Sequence, residues 1–484
     1  MVNFLTLVGA LGLFGGGIGY FAVPASISLS ISYFLNLSES GLLFSLYMNP
    51  PFGMKSKFML LAITNPREVL RGGRMRFKVH GPYNYDAYVR RDNIVLANSS
   101  ERVNYHTHLE LHLREELSAD VDENIWMLNP IVPGTVKIIR KIVLDRVPFK
   151  RLSEPLVFNV INVMLDTYKE RLIVRTTPRI ALEGRKIELL ELVTSMADRF
   201  GLSSLIPPGL PDNIFGFAHV QNTTVDVIEV YTGVGKTKDR FAEVSRWREK
   251  PQVEFWQGKC GKIAGTNGEL YKPYVNTSKP IQIFFGLLCR TSHVVPLSKE
   301  PDVTEIGVPV WEYELSQNLY TGARTNPQNR CFCEDTRTYD CQFDGLLSMG
   351  PCFYDTPIYF ARPNFKGADK RIVETTQFDE SLGAGIGQRQ SLFIERTTGA
   401  VLKLDLTLMA VFKMVRQRYV RDLAGVRNIT YAPAFYTTQI LELPLLYAWP
   451  IYAVPLMIDY YKPVMLASAG LGASVFAFKY VFGV

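Results

Sequence analysis

The sequence predicts an α+β membrane protein, in which a β-rich body with one helical insertion lies between two apolar chain ends. Three observations lead to this class. Both ends of the 484-residue chain are apolar, short strand-like patterns fill most of the middle, and residues 153–200 have helical periodicity. With 20% charged and 47% hydrophobic residues, the composition excludes a disordered chain and is too polar for a polytopic transporter.

The N-terminal segment has no charged residue from Phe4 to Phe34, and the first charged residue is Glu39. About 20 apolar residues span a bilayer, and this run is longer than the apolar region of a cleaved signal peptide. We therefore predict an uncleaved signal-anchor helix over that range, after a cytoplasmic tail of residues 1–3. The run Gly15–Gly17 would permit close contact with a second helix.

The C-terminal end contains two apolar stretches. The first, 443–462, carries three prolines and includes Trp449 with several tyrosines, which is typical of a membrane interface. The second, 463–482, has spanning length and contains a single cation, Lys479, which can extend toward lipid headgroups. We predict an interfacial segment followed by a transmembrane helix.

The cysteines and glycosylation sequons predict the side of the membrane. All six cysteines lie within 260–352, and an even, clustered set is typical of disulfides in an oxidising compartment. Spacing alone does not choose a pairing, and a zinc site is disfavoured because no matched CxxC pairs exist. Asn-x-Ser/Thr sequons occur at Asn36, Asn98, Asn222, Asn276 and Asn428. Because Asn36 is close to the first span, we predict glycans on the other four and an extracellular body over 35–442.

The helical insertion carries most of the candidate binding residues. Residues 153–172 and 186–200 have amphipathic periodicity, with Ser153 as an N-cap and Pro155 in the first turn. Basic residues cluster here, at Lys169, Arg171, Arg175, Arg179, Arg185 and Lys186. Such a surface attracts anionic particles, although a solvated face neutralised by nearby glutamates is the alternative. The candidate ligand-binding residues are Lys169, Arg171 and Arg175.

The strand patterns begin before the insertion. Phe58–Ile63 is predicted as a buried strand that Asn65–Pro66 ends, and Gly81–Tyr83 is predicted as a turn between strands. Val103–Leu113 alternates apolar and polar residues, as a half-buried strand does. After the insertion, Val401–Phe412 is the longest strand pattern.

Three motifs resemble chemical sites but do not predict a catalyst. Gly233–Thr237 is similar to the end of a phosphate-binding loop, yet the glycine that the motif requires is Val230. The glycine-rich residues 383–387 are predicted to form a turn. His106, His108 and His112 share one strand face and could chelate zinc, but the alternation already requires a polar face there. We expect no catalytic residue, no metal, no cofactor and no nucleic-acid partner.

A series of short motifs runs along nearly the whole chain. In order they are Asn65–Leu70, Gly81–Tyr85, Asn129–Pro130, Gly265–Gly268, Leu288–Arg290, Cys331–Cys333, Arg362–Phe365 and Ile394–Glu395. In these motifs the chain resembles the class B scavenger receptor family, which includes CD36, the HDL receptor, the lysosomal integral membrane protein and the insect sensory neuron membrane proteins. The chain departs from the usual family residues at His80, Asn267, Asn364 and Arg396.

The resemblance implies a more specific architecture and site. It implies an antiparallel β-barrel core with an internal lipid tunnel and an apical helical bundle over about 153–201, where ligands dock. It also implies three disulfides in the region 260–352: Cys260–Cys331, Cys289–Cys352 and Cys333–Cys341. Ligands of the family are lipoproteins, fatty acids, sterols, carotenoids, modified lipids and microbial surfaces.

We therefore expect a two-pass plasma-membrane receptor that binds lipid particles at a basic apex and passes lipid through the tunnel to the bilayer. A homo-oligomer is a further possible partner. One alternative is an adhesion or phagocytic receptor for microbial or apoptotic surfaces that transfers no lipid. Another is a lysosomal receptor for a partner enzyme, which the lack of a dileucine signal in either tail disfavours.

Overall fold

Antiparallel strands form the framework of the body between the two terminal helices. The computed structural model describes residues 4–39, 41–97, 100–140, 150–199, 211–304, 307–353, 355–378 and 385–482. Its strands are β1 Met54–Ile63, β2 Phe77–Ala97, β3 Arg102–Leu113, β4 Ile125–Leu128, β5 Ile173–Thr176, β6 Arg185–Lys186, β7 Ile214–Phe215, β8 Asp226–Tyr231, β9 Val244–Trp247, β10 Ile281–Phe285, β11 Arg290–Pro296, β12 Asp302–Val303, β13 Pro309–Leu315, β14 Leu347–Ser348, β15 Ile358–Ala361, β16 Gln390–Ile394, β17 Val401–Val415 and β18 Ile429–Glu442.

The helices lie at the two ends of the chain and between the strands. They are α1 Phe4–Phe34, α2 Leu42–Met48, α3 Pro66–Val69, α4 Ile131–Ile139, α5 Lys150–Thr167, α6 Pro178–Glu183, α7 Glu188–Arg199, α8 Phe217–Thr223, α9 Tyr339–Gln342, α10 Lys370–Val373, α11 Arg421–Ala424 and α12 Leu445–Phe482. Short 3₁₀ turns connect several of these elements. The fold is therefore mixed α+β, as the sequence predicts.

One large sheet forms a nearly closed antiparallel barrel. Its main strand order is β10-β11-β13-β16-β17-β18-β1-β2-β3-β8-β9, and β12, β14 and β15 pair alongside this path. The longest ladder joins β17 to β18, from Lys403 opposite Glu442 to Val415 opposite Ile429. β18 also pairs with β1, so the first and last long strands are neighbours. The buried core follows these central strands, where Met409, Ala410 and Tyr431 are fully enclosed.

The segment around Gly265 and Thr266 bridges the two edge strands of the barrel. The backbone N–H of Val244 in β9 donates to the Gly265 carbonyl at 2.9 Å, and that of Phe284, in β10, donates to the Thr266 carbonyl at 2.8 Å. Gly265 has φ +86°, and a Cβ at this position would lie 2.2 Å from the carbonyl oxygen of Gln282. The close approach that closes the barrel therefore requires glycine.

The terminal helices α1 and α12 pack against each other along small residues. A Cβ on Gly12 would lie 2.8 Å from Gly472 Cα, and a Cβ on Gly16 would lie 2.5 Å from Ala469 N. Added Cβ atoms at Gly15 and Gly17 would meet nothing within 4 Å. Within the predicted run Gly15–Gly17, the contact with the second helix is therefore made at Gly16.

Both terminal helices are long and apolar enough to cross a membrane, with candidate spans at Thr6–Val23 and Leu445–Val481. The stretches 443–462 and 463–482 contribute to one continuous helix, α12, which contains Pro450, Pro455 and Pro463. Its division into an interfacial part and a spanning part stays a prediction. The predicted cytoplasmic tail, residues 1–3, lies outside the described residues.

A buried polar cluster connects α2, which follows the first membrane helix, to the barrel. Arg91 of β2 donates hydrogen bonds to the Tyr47 carbonyl and to the Glu269 carboxylate. The Tyr47 and Tyr105 hydroxyls are 2.8 Å apart, and Asn267 Nδ2 donates to the Tyr47 hydroxyl at 3.0 Å. Burial alone would lower the pKa of Arg91, but the charge of Glu269 raises it above its ordinary value.

Some predicted element boundaries are wrong. Gly81–Tyr83 is not a turn but lies within β2, opposite a register shift between Phe58 and Leu60 of β1. An irregular β1–β2 pairing accommodates the Gly-Pro pair inside the strand. The strands predicted over Phe58–Ile63 and Val103–Leu113 are confirmed as parts of β1 and β3.

The first helix of the insertion also differs from its prediction. Because α5 begins at Lys150, Ser153 is not its N-cap and Pro155 is not in its first turn. The helix ends at Thr167 rather than at residue 172, since Lys169 adopts the left-handed conformation with φ +56°. The second predicted helix corresponds to α7, and residue 200 lies outside the described residues.

We predict that Gly265→Ala destabilises the protein by about 2 kcal/mol or more, because the added Cβ would collide with a strand backbone. The measurement is thermal or denaturant unfolding of the purified full-length protein in lipid nanodiscs. Gly367→Ala is the matched control, since Gly367 has φ +77° but would meet nothing within 4 Å. Equal losses for both variants would mean that backbone conformation alone, not barrel closure, requires Gly265.

Candidate ligand-binding apex

The described residues between β3 and β8, namely 114–140, 150–199 and 211–225, add no strand to the large sheet and form what we call the apical region. β18 runs 14 residues from Ile429 to Glu442 and leads into α12, a length on the order of 45 Å for an extended strand. At the far end of β18, Asn162 Nδ2 of α5 donates to the Tyr419 carbonyl at 2.7 Å, and Leu172 N donates to Asp422 Oδ2 at 2.9 Å. These contacts place α5 and the segment that follows it at the barrel end away from α12. The range of about 153–201 for the helical bundle stays a prediction.

The candidate residue Arg171 is neutralised by carboxylates. Its Nη1 atom is 2.7 Å from Asp166 Oδ1 and 3.9 Å from Asp422 Oδ1. Arg421 also pairs with Asp166, so two arginines share these two acids. Arg171 is exposed but carries little uncompensated charge, which weakens its selection as an anion-binding residue.

Three other basic residues of the apical region are also paired. Arg185 Nη2 lies 2.6 Å from an oxygen of buried Glu170, which also accepts a hydrogen bond from Asn129 at 2.7 Å. Arg179 contacts Asp122 and Glu115 at 2.9 and 2.7 Å, and Lys186 contacts Glu191 at 3.0 Å. At these three positions nearby acids therefore neutralise the basic side chains, as in the alternative to a ligand-binding surface.

Lys169 and Arg175 are the two candidate residues whose charge no neighbouring acid offsets among the described residues. Both are exposed, and within the described residues neither has a carboxylate within ion-pair distance. Lys169 occupies the left-handed turn after α5, a conformation that glycine adopts at lower cost. Arg175 of β5 stands directly opposite the exposed Trp126 of β4.

An exposed apolar stripe on α5 is the feature that the sequence analysis missed. Leu156, Val160 and Val163 are 69%, 59% and 65% exposed, and their spacing places them on one helix face. The opposite face, with Phe158 and Ile161, is buried in the core. The signal in the sequence is the presence of apolar residues on both faces of a helix that can bury only one.

The three disulfides pair Cys260 with Cys331, Cys289 with Cys352 and Cys333 with Cys341. This is the pairing that the family resemblance implies. The cysteines link the 3₁₀ turns near 258–261 and 286–288 to the segment 327–352.

The predicted glycan acceptors differ in their surroundings. Asn276 and Asn428 are exposed, as an acceptor must be. Asn222 is half-buried, and its Oδ1 accepts a hydrogen bond from the Leu111 backbone N–H at 3.1 Å. Asn98 lies outside the described residues, and modification stays a prediction at all four positions.

Two of the three strand histidines, His106 and His112, lie beside acids. His106 Nδ1 is 3.7 Å from Asp92 Oδ1, and His112 Nε2 is 3.2 Å from Glu110 Oε1. In the part of the chain that the structure describes, no three histidine, cysteine, aspartate or glutamate side chains come together to hold a metal ion.

A buried charge network anchors the disulfide region to the barrel. Asp340, beside Cys341, lies 2.6 Å from Lys413 Nζ and accepts hydrogen bonds from the Tyr431 and Tyr359 hydroxyls at 2.8 and 2.9 Å. Burial by itself raises the pKa of Asp340, but Lys413 and the two hydroxyls more than offset it and leave the pKa below its usual value.

Comparison with known proteins decides the family. The model of the CD36 family matches residues 7–480. The chain belongs to the CD36 family. The names of its relatives describe receptors and membrane proteins, not enzymes.

Three relatives show how far the similarity extends. "Scavenger receptor class B member 1" of Sus scrofa is 22% identical over 378 residues, which are 76% of this chain and 67% of that protein. "Sensory neuron membrane protein 1" of Anopheles gambiae is 24% identical over 335 residues, 67% of this chain and 58% of that protein. "Lysosome membrane protein 2" of Mus musculus is 25% identical over 331 residues, 68% and 63% of the two chains.

We predict that Asp340→Asn destabilises this CD36 family protein by about 3 kcal/mol at pH 7, because it leaves Lys413 buried without its partner. A lowered pKa in the folded state means that the contribution is fully present above the unfolded aspartate pKa of about 3.9 and is lost as the pH falls through the folded value. We would measure the free energy of unfolding by denaturant between pH 3 and 7. The difference in this free energy between wild type and variant should therefore be constant down to about pH 4.5.

The control for this experiment is Asp335→Asn. Asp335 pairs with Arg337 at 3.2 Å on the surface, so its loss should change stability by less than about 0.5 kcal/mol. A similar small effect for Asp340→Asn would contradict the anchoring role of the buried network.

Proposed function

We propose that the protein is a plasma-membrane receptor that binds lipid particles or lipid ligands with its apical region and passes lipid through the barrel to the bilayer. The ligand classes are lipoproteins, fatty acids, sterols and carotenoids. The observation that carries the proposal is the exposed apolar stripe Leu156–Val163, located at the barrel end away from α12.

The exposed apolar stripe favours contact with a lipid surface over contact with water. Three neighbouring aliphatic side chains, each more than half exposed, form the kind of surface patch that marks a binding site. Burying each of them against a lipid surface would contribute roughly 1.5–3 kcal/mol at most. A lipid particle provides a broad apolar surface that matches a helix face without needing a preformed pocket.

Two exposed cations of the same apical region add a preference for anionic particles. Lys169 follows α5 directly, and Arg175 lies six residues further along the chain. Both carry charge that no neighbouring acid compensates among the described residues. A lysine or arginine near an anionic lipid surface contributes about 1 kcal/mol, and salt screens this contribution.

Lipid transfer is the part of the proposal that distinguishes it from an adhesion receptor. The central strands β1, β17 and β18 run from the membrane end of the barrel to the turn that contacts α5. An apolar path inside the barrel would spare a lipid about 0.8 kcal/mol for each CH₂ group kept from water. An adhesion or phagocytic receptor would bind particles through the same stripe without moving lipid.

The test uses full-length protein in nanodiscs and vesicles of phosphatidylcholine with or without phosphatidylserine, carrying a fluorescent sterol. Leu156→Ser should raise the dissociation constant about tenfold, the effect expected for one buried leucine. Lys169→Gln and Arg175→Gln should each weaken binding to the anionic vesicles about threefold to fivefold, and less at high salt. Sterol should appear in the nanodisc lipid only when vesicles are bound.

Two matched controls keep this experiment specific. Leu297→Ser changes a leucine that is 52% exposed outside the apical region, and Arg179→Gln changes an arginine that is already paired. Neither should alter binding more than twofold. Unchanged binding by Leu156→Ser would contradict apical recognition, and binding without sterol transfer would replace the proposal with the adhesion receptor.

A further inference from the structure

Arg290, the first residue of β11, is a buried cation without an acidic partner. Its side chain is 2% exposed, and among the described residues no carboxylate lies within ion-pair distance. Nε donates to the Leu288 carbonyl at 3.1 Å and Nη2 donates to the Ser348 carbonyl. The guanidinium carbon lies 4.9 Å and 4.2 Å from the ring centres of Trp256 and Phe332. These contacts hold the group in place but supply no negative charge.

The missing counter-charge is energetically significant. Burial lowers the pKa of Arg290 to about 9, so the guanidinium still carries its proton at pH 7. Buried charges in proteins are normally paired with an opposite charge, because transfer from water is costly. Two carbonyls and two aromatic faces compensate only part of that cost.

A small cavity lies against this cation. It has a volume of about 30 Å³, and its wall includes Arg290, Thr321, Asn329 and Ser348. The hydroxyl oxygen of Ser348 is buried and has no hydrogen-bond partner among the described residues. A cavity of this size has room for about one or two water-sized species, which is too little for a phosphate group or a lipid carboxylate.

We propose that this cavity binds a single halide ion, chloride under extracellular conditions, between the guanidinium of Arg290 and the hydroxyl of Ser348. The ion accepts hydrogen bonds from both donors and supplies the negative charge that the surroundings of Arg290 lack. It thereby connects the turn before β11 to β14.

The site has a structural consequence for the disulfide region. Arg290 directly follows Cys289, whose disulfide partner is Cys352, and Cys333 and Cys341 line the same cavity. Asp340 is the acidic residue on the cavity wall, and Lys413 pairs with it at 2.6 Å. Because that carboxylate already has its own cation, Arg290 remains the charge that attracts the anion.

The test measures thermal unfolding of the full-length protein in nanodiscs during replacement of sodium gluconate by sodium chloride or bromide at constant ionic strength. We expect the melting temperature to rise with the logarithm of the halide concentration once that concentration exceeds the dissociation constant, because the ion binds only the folded state. Ser348→Ala should leave the melting temperature in gluconate nearly unchanged, because the hydroxyl has no protein partner to lose. The same variant should raise about tenfold the halide concentration that is needed for a given increase in melting temperature.

Two further measurements keep the result interpretable. Ser118→Ala should lower the melting temperature equally in both salts, because the Ser118 hydroxyl accepts from Asn84 N at 2.9 Å and donates to the Arg114 carbonyl at 2.7 Å. A bromide-soaked crystal should show an anomalous peak between Arg290 and Ser348. Equal melting temperatures in chloride and gluconate, or a halide response that Ser348→Ala leaves unchanged, would overturn the proposal and assign the cavity to water.

Discussion

The pairing of β1 with β18 is the constraint on which the rest of the structure depends. These strands come from opposite ends of the chain: β18 leads into α12 after two residues, and α2 lies in the 19 residues between α1 and β1. Their antiparallel ladder, with Lys55 opposite Ile440 and Leu60 opposite Phe435, fixes which end of the barrel adjoins the helices. The helix contact at Gly16 and Ala469 brings together the same two chain ends. The apical region is held away from the membrane helices because the strands between them are long.

The basic residues of the apical region differ in whether an acid lies beside them. Most apical basic residues lie beside acids, and Arg185 even reaches a buried carboxylate, Glu170. Surface pairs of this kind contribute little to stability, but they remove long-range positive potential. The exposed charge without an acidic partner is at Lys169 and Arg175, in the same apical region as the apolar face of α5. A surface of this composition suits a particle with an apolar interior and a charged periphery better than it suits a free anion.

Among the described residues, different buried cations of the barrel offset the cost of desolvation in different ways. Lys413 pairs with Asp340 inside a network of tyrosine hydroxyls. Arg91 has Glu269 and lies 4.4 Å from the centre of the Tyr47 ring. Arg290 has carbonyls, rings and a small cavity but no acid among its described neighbours. Each cation lies where a loop or disulfide-linked segment meets the sheet, so each one orders a junction rather than the centre of the core.

The sequence alone determined the two apolar ends, the strands at Phe58–Ile63 and Val103–Leu113, and the helical insertion, because these depend on local periodicity. The sequence motifs indicated the family. The family resemblance in turn implied the barrel and the cysteine pairing. Tertiary structure decided which basic residues have an acidic partner, since Arg171 meets Asp422 across about 250 positions of sequence. It also decided that Gly81–Tyr83 continues a strand and that Gly265 closes the barrel. These outcomes depend on which distant segments meet, and local sequence patterns do not contain that information.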